Sequence, residues 1–188
     1  MSSIAVYSGS FNPLHIGHLA IMKHLTGKGG YDCVRLIVSP KNPLKDSISS
    51  SSGTERYNAA KEAVGRHFPE SGKVTVDDIE LNMPEPHYSI RTLRALRGRE
   101  PGNTFTLIMG ADNLACIRNW KDYQNILTDF GVAVFPREGT DLKKTKQDLL
   151  HENPAYKIQL LNAPLVTVSS SEIREALSQG RDVSHLLM

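Results

Sequence analysis

Apolar residues along the chain fall into short unbroken runs and into stretches with helical spacing. Ile4-Ala5-Val6-Tyr7 is an unbroken run ending at Ser8-Gly9, and it reads as a buried strand. A polar turn marked by Gly and Pro follows, from Gly9 to Leu14. From His15 to Leu25 the apolar residues Ile16, Leu19, Ala20 and Leu25 lie on one helical face, and Gly27, Gly29 and Gly30 stop the helix. Val34-Arg35-Leu36-Ile37-Val38 is the second buried run. Strand, helix, strand at this spacing predicts a right-handed βαβ unit with parallel strands.

The alternation continues to the end of the chain. Pro40 to Gly53 is irregular and includes a Ser tract. A helix follows with Thr54 as its cap and Ala59, Ala60, Ala63 and Val64 inside; Val74-Thr75-Val76 is a strand. Pro84 and Pro86 interrupt the chain, after which Ser89 caps a helix carrying Ile90, Leu93 and Leu96. Phe105 to Met109 is a strand ending in Gly110-Ala111-Asp112, and Leu114 to Leu127 is helical in one or two pieces. Val132 to Phe135 and Ile158 to Leu161 are strands, with a polar helix from Lys143 to His151 between them. Ser169-Ser170-Ser171 precedes a last helix, Glu172 to Gln179, ended by Gly180. No repeat or boundary interrupts the pattern, so residues 1–188 form one domain, a doubly wound α/β fold with a mostly parallel sheet.

Composition narrows the function. The 22 Lys+Arg against 20 Asp+Glu give a net charge of +2, too small a surplus for a surface that coats nucleic acid. A compact anionic ligand remains compatible with it. Cys33 and Cys116, the only two cysteines, have no zinc spacing and read as reduced thiols. No run of about 18 apolar residues is present, so no membrane span is expected. The N-terminus has no secretory signal, and the cytoplasm is the default location.

The most informative segment is Gly9-Ser10-Phe11-Asn12-Pro13-Leu14-His15-Ile16-Gly17-His18. It lies beyond the carboxyl end of the first strand, where open parallel sheets bind ligands. Gly9 permits a tight turn and close backbone approach. His15 and His18 share a face at a helix start, where free N–H groups and the helix dipole favour an anion. Both imidazoles can donate to phosphate oxygens, more strongly if protonated, and Gly17 leaves room between them for a ligand. The segment is neither a Walker A loop nor a GxGxxG fingerprint.

GSFNPLHIGH resembles the HxGH motif of the nucleotidylyltransferase superfamily. Within it the chain is similar over nearly its whole length to the bacterial-type nicotinate mononucleotide adenylyltransferases. Gly110-Ala111-Asp112-Asn113-Leu114, Trp120 and Val168-Ser169-Ser170-Ser171-Glu172-Ile173-Arg174 carry the rest of the likeness. The resemblance implies a Rossmann-like nucleotidylyltransferase fold. It also implies that ATP is bound by Gly9, Ser10, Phe11, His18, Gly110, Asp112, Ser169, Ser170, Ser171 and Arg174. His15, His18 and Arg174 are the implied catalytic groups. Asn12, Lys45, Tyr88, Ser89 and Trp120 are the implied mononucleotide site, with Trp120 stacked on the pyridine ring and the backbone of Tyr88-Ser89 reading its carboxylate. Ser171 and Ser89 stand where the family has Thr. Lys41 is a weaker phosphate neighbour than Lys45, and Arg137 a weak candidate on the adenosine side. His24, His67, His87, His151 and His185 receive no role.

The expected reaction joins nicotinate mononucleotide to ATP, giving the dinucleotide and pyrophosphate in NAD biosynthesis. A phosphate monoester has a second pKa of about 6, so the nucleophile needs no general base. Magnesium is expected on the ATP phosphates, with no ligand from the protein. The rival substrates are nicotinamide mononucleotide and phosphopantetheine, and a non-catalytic nucleotide sensor on the same fold is the alternative of another class. The apolar end of the chain, His185-Leu186-Leu187-Met188, leaves a homo-oligomer open.

Overall fold

A computed structural model describes residues 1–40, 52–69 and 72–188. Six strands form a single sheet: β1 (Ser3–Gly9), β2 (Cys33–Val38), β3 (Val74–Asp77), β4 (Thr104–Gly110), β5 (Val132–Phe135) and β6 (Ile158–Leu160). Their order is β3-β2-β1-β4-β5-β6 and every neighbouring pair is parallel. The chain winds outward from β1 to β3, then returns to the other side of β1 with β4. The crevice beyond the carboxyl ends of β1 and β4 is therefore the topological switch point of the sheet.

Helices cover both faces, which is why the strands read as unbroken apolar runs rather than as alternating ones. On one face Ile4, Val6, Leu107, Met109, Val132 and Val134 pack with Ile90, Leu93 and Leu96 of α3 (Ser89–Arg99). On the other, Ala5, Tyr7, Val34, Leu36 and Val38 pack against two helices. These are α1 (Ile16–Thr26), through Ile21, Met22 and Leu25, and α2 (Gly53–His67), through Ala60, Ala63 and Val64. Neighbours in sequence thus serve opposite cores, as the two-residue strand period requires.

Several local expectations are corrected. Ser52, not Thr54, caps α2: its hydroxyl accepts the Glu55 N–H while the Glu55 carboxylate accepts the Ser52 N–H. Tyr88 rather than Ser89 is the N-cap of α3, and no side chain caps that helix. The stretch expected as one or two helices breaks into four pieces. These are α4 (Ala111–Ala115), a 3-10 turn (Ile117–Asn119), α5 (Tyr123–Asn125) and a π turn (Ile126–Phe130). The break follows from extended Trp120 and from Asp122 at φ 51°. Leu114, Ile117, Ile126 and Leu127 stay fully buried across it. Asp141 caps α6 (Leu142–Glu152), and α7 (Ser170–Ser178) completes the fold.

Candidate active site

The site is built on the turn after β1. A Cβ at Gly9 would stand 3.1 Å from the Phe11 ring, tighter than ordinary contact, so glycine eases the fold of Phe11 back under the loop. Phe11 adopts φ 45°, is buried, and sets its edge on Tyr7 and His18, with ring centroids 5.4 and 5.1 Å away. As a side chain it supports the loop from inside.

His15 and His18 cap α1 reciprocally. The His15 ring Nδ1 accepts the Gly17 N–H at 3.1 Å, and the His18 Nδ1 accepts the His15 N–H at 3.2 Å. The two rings stack with centroids 3.7 Å apart. A nitrogen that accepts a backbone N–H carries no proton, so each neutral imidazole has its proton on Nε2. Burial, reinforced by the Arg137 charge, lowers His15 to about 4. Burial, then the neighbouring His15 and Arg137, drives His18 well below its ordinary value. At neutral pH the pair therefore consists of two uncharged Nε2–H donors. Of the two protonation states left open from sequence, the capping geometry and burial favour the neutral one. The space beside Gly17 is also not open for a ligand. A Cβ there would lie 2.4 Å from Val166 Cγ1 and 2.9 Å from His15 Cε1.

The start of α7 closes on the same turn. Ser169 is its N-cap, sharing a capping box with Glu172. The Ser170 hydroxyl donates to the Pro13 carbonyl at 3.0 Å. Arg174 donates to the Asn12 carbonyl at 2.6 Å and to the Ser171 hydroxyl at 3.1 Å. The two segments, distant in sequence, thus form one wall. Arg137 is tied by a 3.1 Å hydrogen bond to the Val166 carbonyl and lies over the Phe135 ring.

A cavity opens beside this wall, beyond the ends of β1 and β4. It is lined by Ser10, Trp120, Tyr88, Ser89, Glu80 and His87, among others. Tyr88 and Ser89 bring the start of α3, which has no side-chain cap, to this cavity. Gly110, with Asp112 in the first turn of α4, ends β4 nearby; a Cβ at Gly110 would meet Asp112 Oδ1 at 2.6 Å. Asp112 is not the N-cap of that helix, a position Gly110 holds. Lys41 and Lys45 lie outside the described residues.

Three residues escape sequence reasoning. Arg56 is 5% exposed and ties α2 to the ends of β1 and β2 by donating to the carbonyls of Ser10, Ser39 and Pro40. Before the fold is known it reads as one more solvated helix cation. Glu80 and His87 come from the β3–α3 connection, and only the sheet order brings them to the cavity.

Among the described residues, no group of three or more His, Cys, Asp or Glu is placed to hold a metal ion. None of the described helices is long and apolar enough to cross a membrane.

Known proteins match this architecture over its whole length. The cytidylyltransferase-like family matches residues 6–176. A protein of Flavobacterium psychrophilum named a probable nicotinate-nucleotide adenylyltransferase is 36% identical over 184 residues, covering 98% of this chain and 91% of that protein. One of the same name from Bacteroides fragilis is 34% identical over 182 residues, covering 97% and 85%. The nicotinic acid mononucleotide adenylyltransferase of Plasmodium falciparum, solved in complex with NaAD, shares the fold. Its TM-score is 0.78 at 20% identity, over 98% of this chain and 88% of that one. On that similarity the chain belongs to the cytidylyltransferase-like family and, within it, to the nicotinate-nucleotide adenylyltransferases.

Proposed function

We propose that the chain transfers the adenylyl group of MgATP to the phosphate of nicotinate mononucleotide. A phosphate oxygen of the mononucleotide attacks the α-phosphorus, the bond from that phosphorus to the bridging β-oxygen breaks, and pyrophosphate leaves with the electron pair. The products are nicotinate adenine dinucleotide and pyrophosphate. The nucleophile is already mostly dianionic at pH 7, so the residues need only position reactants and stabilise charge.

The observation that carries this reading is the closure of Arg174 and Ser170 onto the loop that ends in His15 and His18. It sets an Nε2–H pair for the α-phosphate next to a guanidinium and hydroxyl, Arg174 and Ser171, for the departing pyrophosphate. Neutral imidazoles suit the task because they add hydrogen bonds without needing a proton at neutral pH. Gly9, Ser10 and Gly110 supply backbone close to the nucleotide, and Asp112 takes ribose hydroxyls. Trp120 stacks on the pyridine ring, and the start of α3 at Tyr88-Ser89 receives the ring carboxylate. Magnesium enters as part of the ATP substrate, carried by phosphate oxygens and water. The relatives' names and the NaAD bound by the Plasmodium falciparum protein support the substrate assignment.

The test is pyrophosphate release by purified protein with MgATP and, in separate reactions, nicotinate mononucleotide, nicotinamide mononucleotide or phosphopantetheine. Turnover with a pyridine mononucleotide and none with phosphopantetheine is expected. Turnover with phosphopantetheine alone sinks the assignment; ATP binding without pyrophosphate from any acceptor makes the protein a sensor.

A further inference from the structure

We infer that Arg56 is a positioning residue for the phosphates of ATP. From inside the fold it holds the Ser10 carbonyl inward, so that the N–H side of the turn after β1 faces the substrate. This rests on the transfer reaction proposed above and adds a residue to its phosphate site.

Arg56 is buried, and burial lowers its pKa, yet a guanidinium stays charged in a protein. It donates to three backbone carbonyls, those of Ser10 at 2.5 Å, Ser39 at 2.8 Å and Pro40 at 2.9 Å. Among the described residues no carboxylate pairs with it, and its Nε is buried without a hydrogen-bond partner. Arg35 and Arg99 show the usual remedy, since both pair with Asp77. A buried charge left without a counter-charge is costly. An anion on the far side of the Ser10 peptide would offset that cost.

Successive carbonyls of the turn face inward. Gly9 accepts the Ser39 N–H at 2.9 Å, and Ser10 accepts Arg56. Neither peptide is cis, and in a planar trans peptide the N–H points opposite to the carbonyl. The N–H of Ser10 therefore points away from β2, and that of Phe11 away from α2. Neither donates to a group among the described residues. Ser10 is exposed and borders the cavity. Adjacent free N–H groups are the means by which backbone binds anions. Phe11 at φ 45° holds a conformation that persists only where its surroundings impose it, and the grip on Ser10 is one such constraint. Arg56 thus aims the peptide, and its charge polarises the Ser10–Phe11 bond so that the Phe11 N–H is a stronger donor.

Ser10–Phe11 is the only Ser-Phe step in the chain. Isotopic labelling of serine at the carbonyl carbon and phenylalanine at the amide nitrogen therefore isolates this one peptide by NMR. In the wild type, MgATP added without mononucleotide should move the Phe11 amide resonance. Arg56→Gln should shift the Ser10 carbonyl, shrink the Phe11 response and weaken MgATP binding by about tenfold. In turnover it should lower kcat by about 10²-fold, the scale of a small misplacement, with KM for the mononucleotide little changed. Arg56→Lys offers the charge from a single point and should lie between, and it decides the matter if Arg56→Gln does not fold. A wild-type Phe11 amide indifferent to MgATP overturns the proposal. So does an Arg56→Gln protein that binds MgATP as tightly as the wild type, or one whose losses are equal for both substrates and follow its melting temperature. A Phe11 response that depends on Arg56, with no pyrophosphate from any acceptor, upholds the role of Arg56 and sinks the transfer reading.

Discussion

The guanidinium of Arg174 donates to the backbone carbonyl of Asn12 at 2.6 Å, across 162 residues of sequence. This bond, with that from Ser170 to Pro13, makes the last helix part of the first loop. Arg174 is exposed, so its removal should spare the core. Arg174→Ala is expected to lower kcat/KM for MgATP by about 10²-fold, the usual loss of one preorganised donor to developing charge. Arg174→Lys should recover little, since an ammonium cannot reach both Asn12 and Ser171 as a planar fork does. A melting temperature that fell as steeply as activity would assign Arg174 to stability instead.

Trp120 can be separated from the phosphate wall by kinetics. Trp120→Ala should raise KM for the mononucleotide by about tenfold, the scale of an aromatic stacking contact, and leave KM for MgATP nearly unchanged. Comparable rises for both substrates would place the ring's influence on the fold of the β4–β5 connection.

Much of this architecture was legible beforehand, for reasons particular residues make clear. Ile4 to Tyr7 and Val34 to Val38 read as buried strands because both sheet faces are covered and no polar alternation is needed. The turn from Gly9 to His18 stood out because glycine, proline and two histidines meet at a strand end. What stayed hidden depends on contacts between distant segments. Histidine is an uncommon N-cap, so the mutual capping of His15 and His18 had no sequence signal. Arg56 looked solvated until Ser10, Ser39 and Pro40 turned their carbonyls to it. The broken helix after Gly110 was masked by the apolar spacing of Leu114, Ile117, Ile126 and Leu127, which suits a regular helix as well as the irregular path observed.

His18 offers a test of transition-state stabilisation. Its Nδ1 is engaged with the His15 N–H, so in the proposed reaction Nε2 is the atom that would meet the phosphate. His18→Ala should lower kcat by about 10²-fold or more while changing MgATP affinity far less, because the charge it meets develops during transfer. Equal losses in affinity and turnover would mark a structural histidine.

Gly17 should be among the least replaceable residues of the loop. An added methyl would meet Val166 Cγ1 at 2.4 Å and the His15 ring at 2.9 Å. Gly17→Ala is expected to cost about 1–3 kcal/mol in urea unfolding, the range for overpacking, and to reduce turnover by displacing His15. Adding Val166→Ala should return part of both. A double variant no better than the single one would place the strain against His15 alone.

The histidine pair also predicts how stability responds to acid. His15 titrates near 4 in the folded protein against an ordinary value of 6.5, and His18 is lowered as well, chiefly by burial. Between these values the unfolded chain binds protons that the folded chain excludes, so stability rises with pH across this window. Above about pH 6.5 both states are neutral at these positions and the effect vanishes. As pH falls from 6.5 towards 4, folding stability should therefore decline. Paired carboxylates such as Asp77, whose value is lowered by Arg99 and Arg35 against the opposing pull of burial, add losses of their own only at lower pH. His15→Asn isolates the histidine term, because asparagine preserves an N-cap acceptor for the Gly17 N–H and does not titrate. Melting curves of wild type and variant from pH 5 to 8 should converge as the solution is acidified, the variant losing less. Parallel curves would mean that His15 is as readily protonated in the folded protein as in the unfolded chain, and the neutral Nε2–H donor would have to be abandoned.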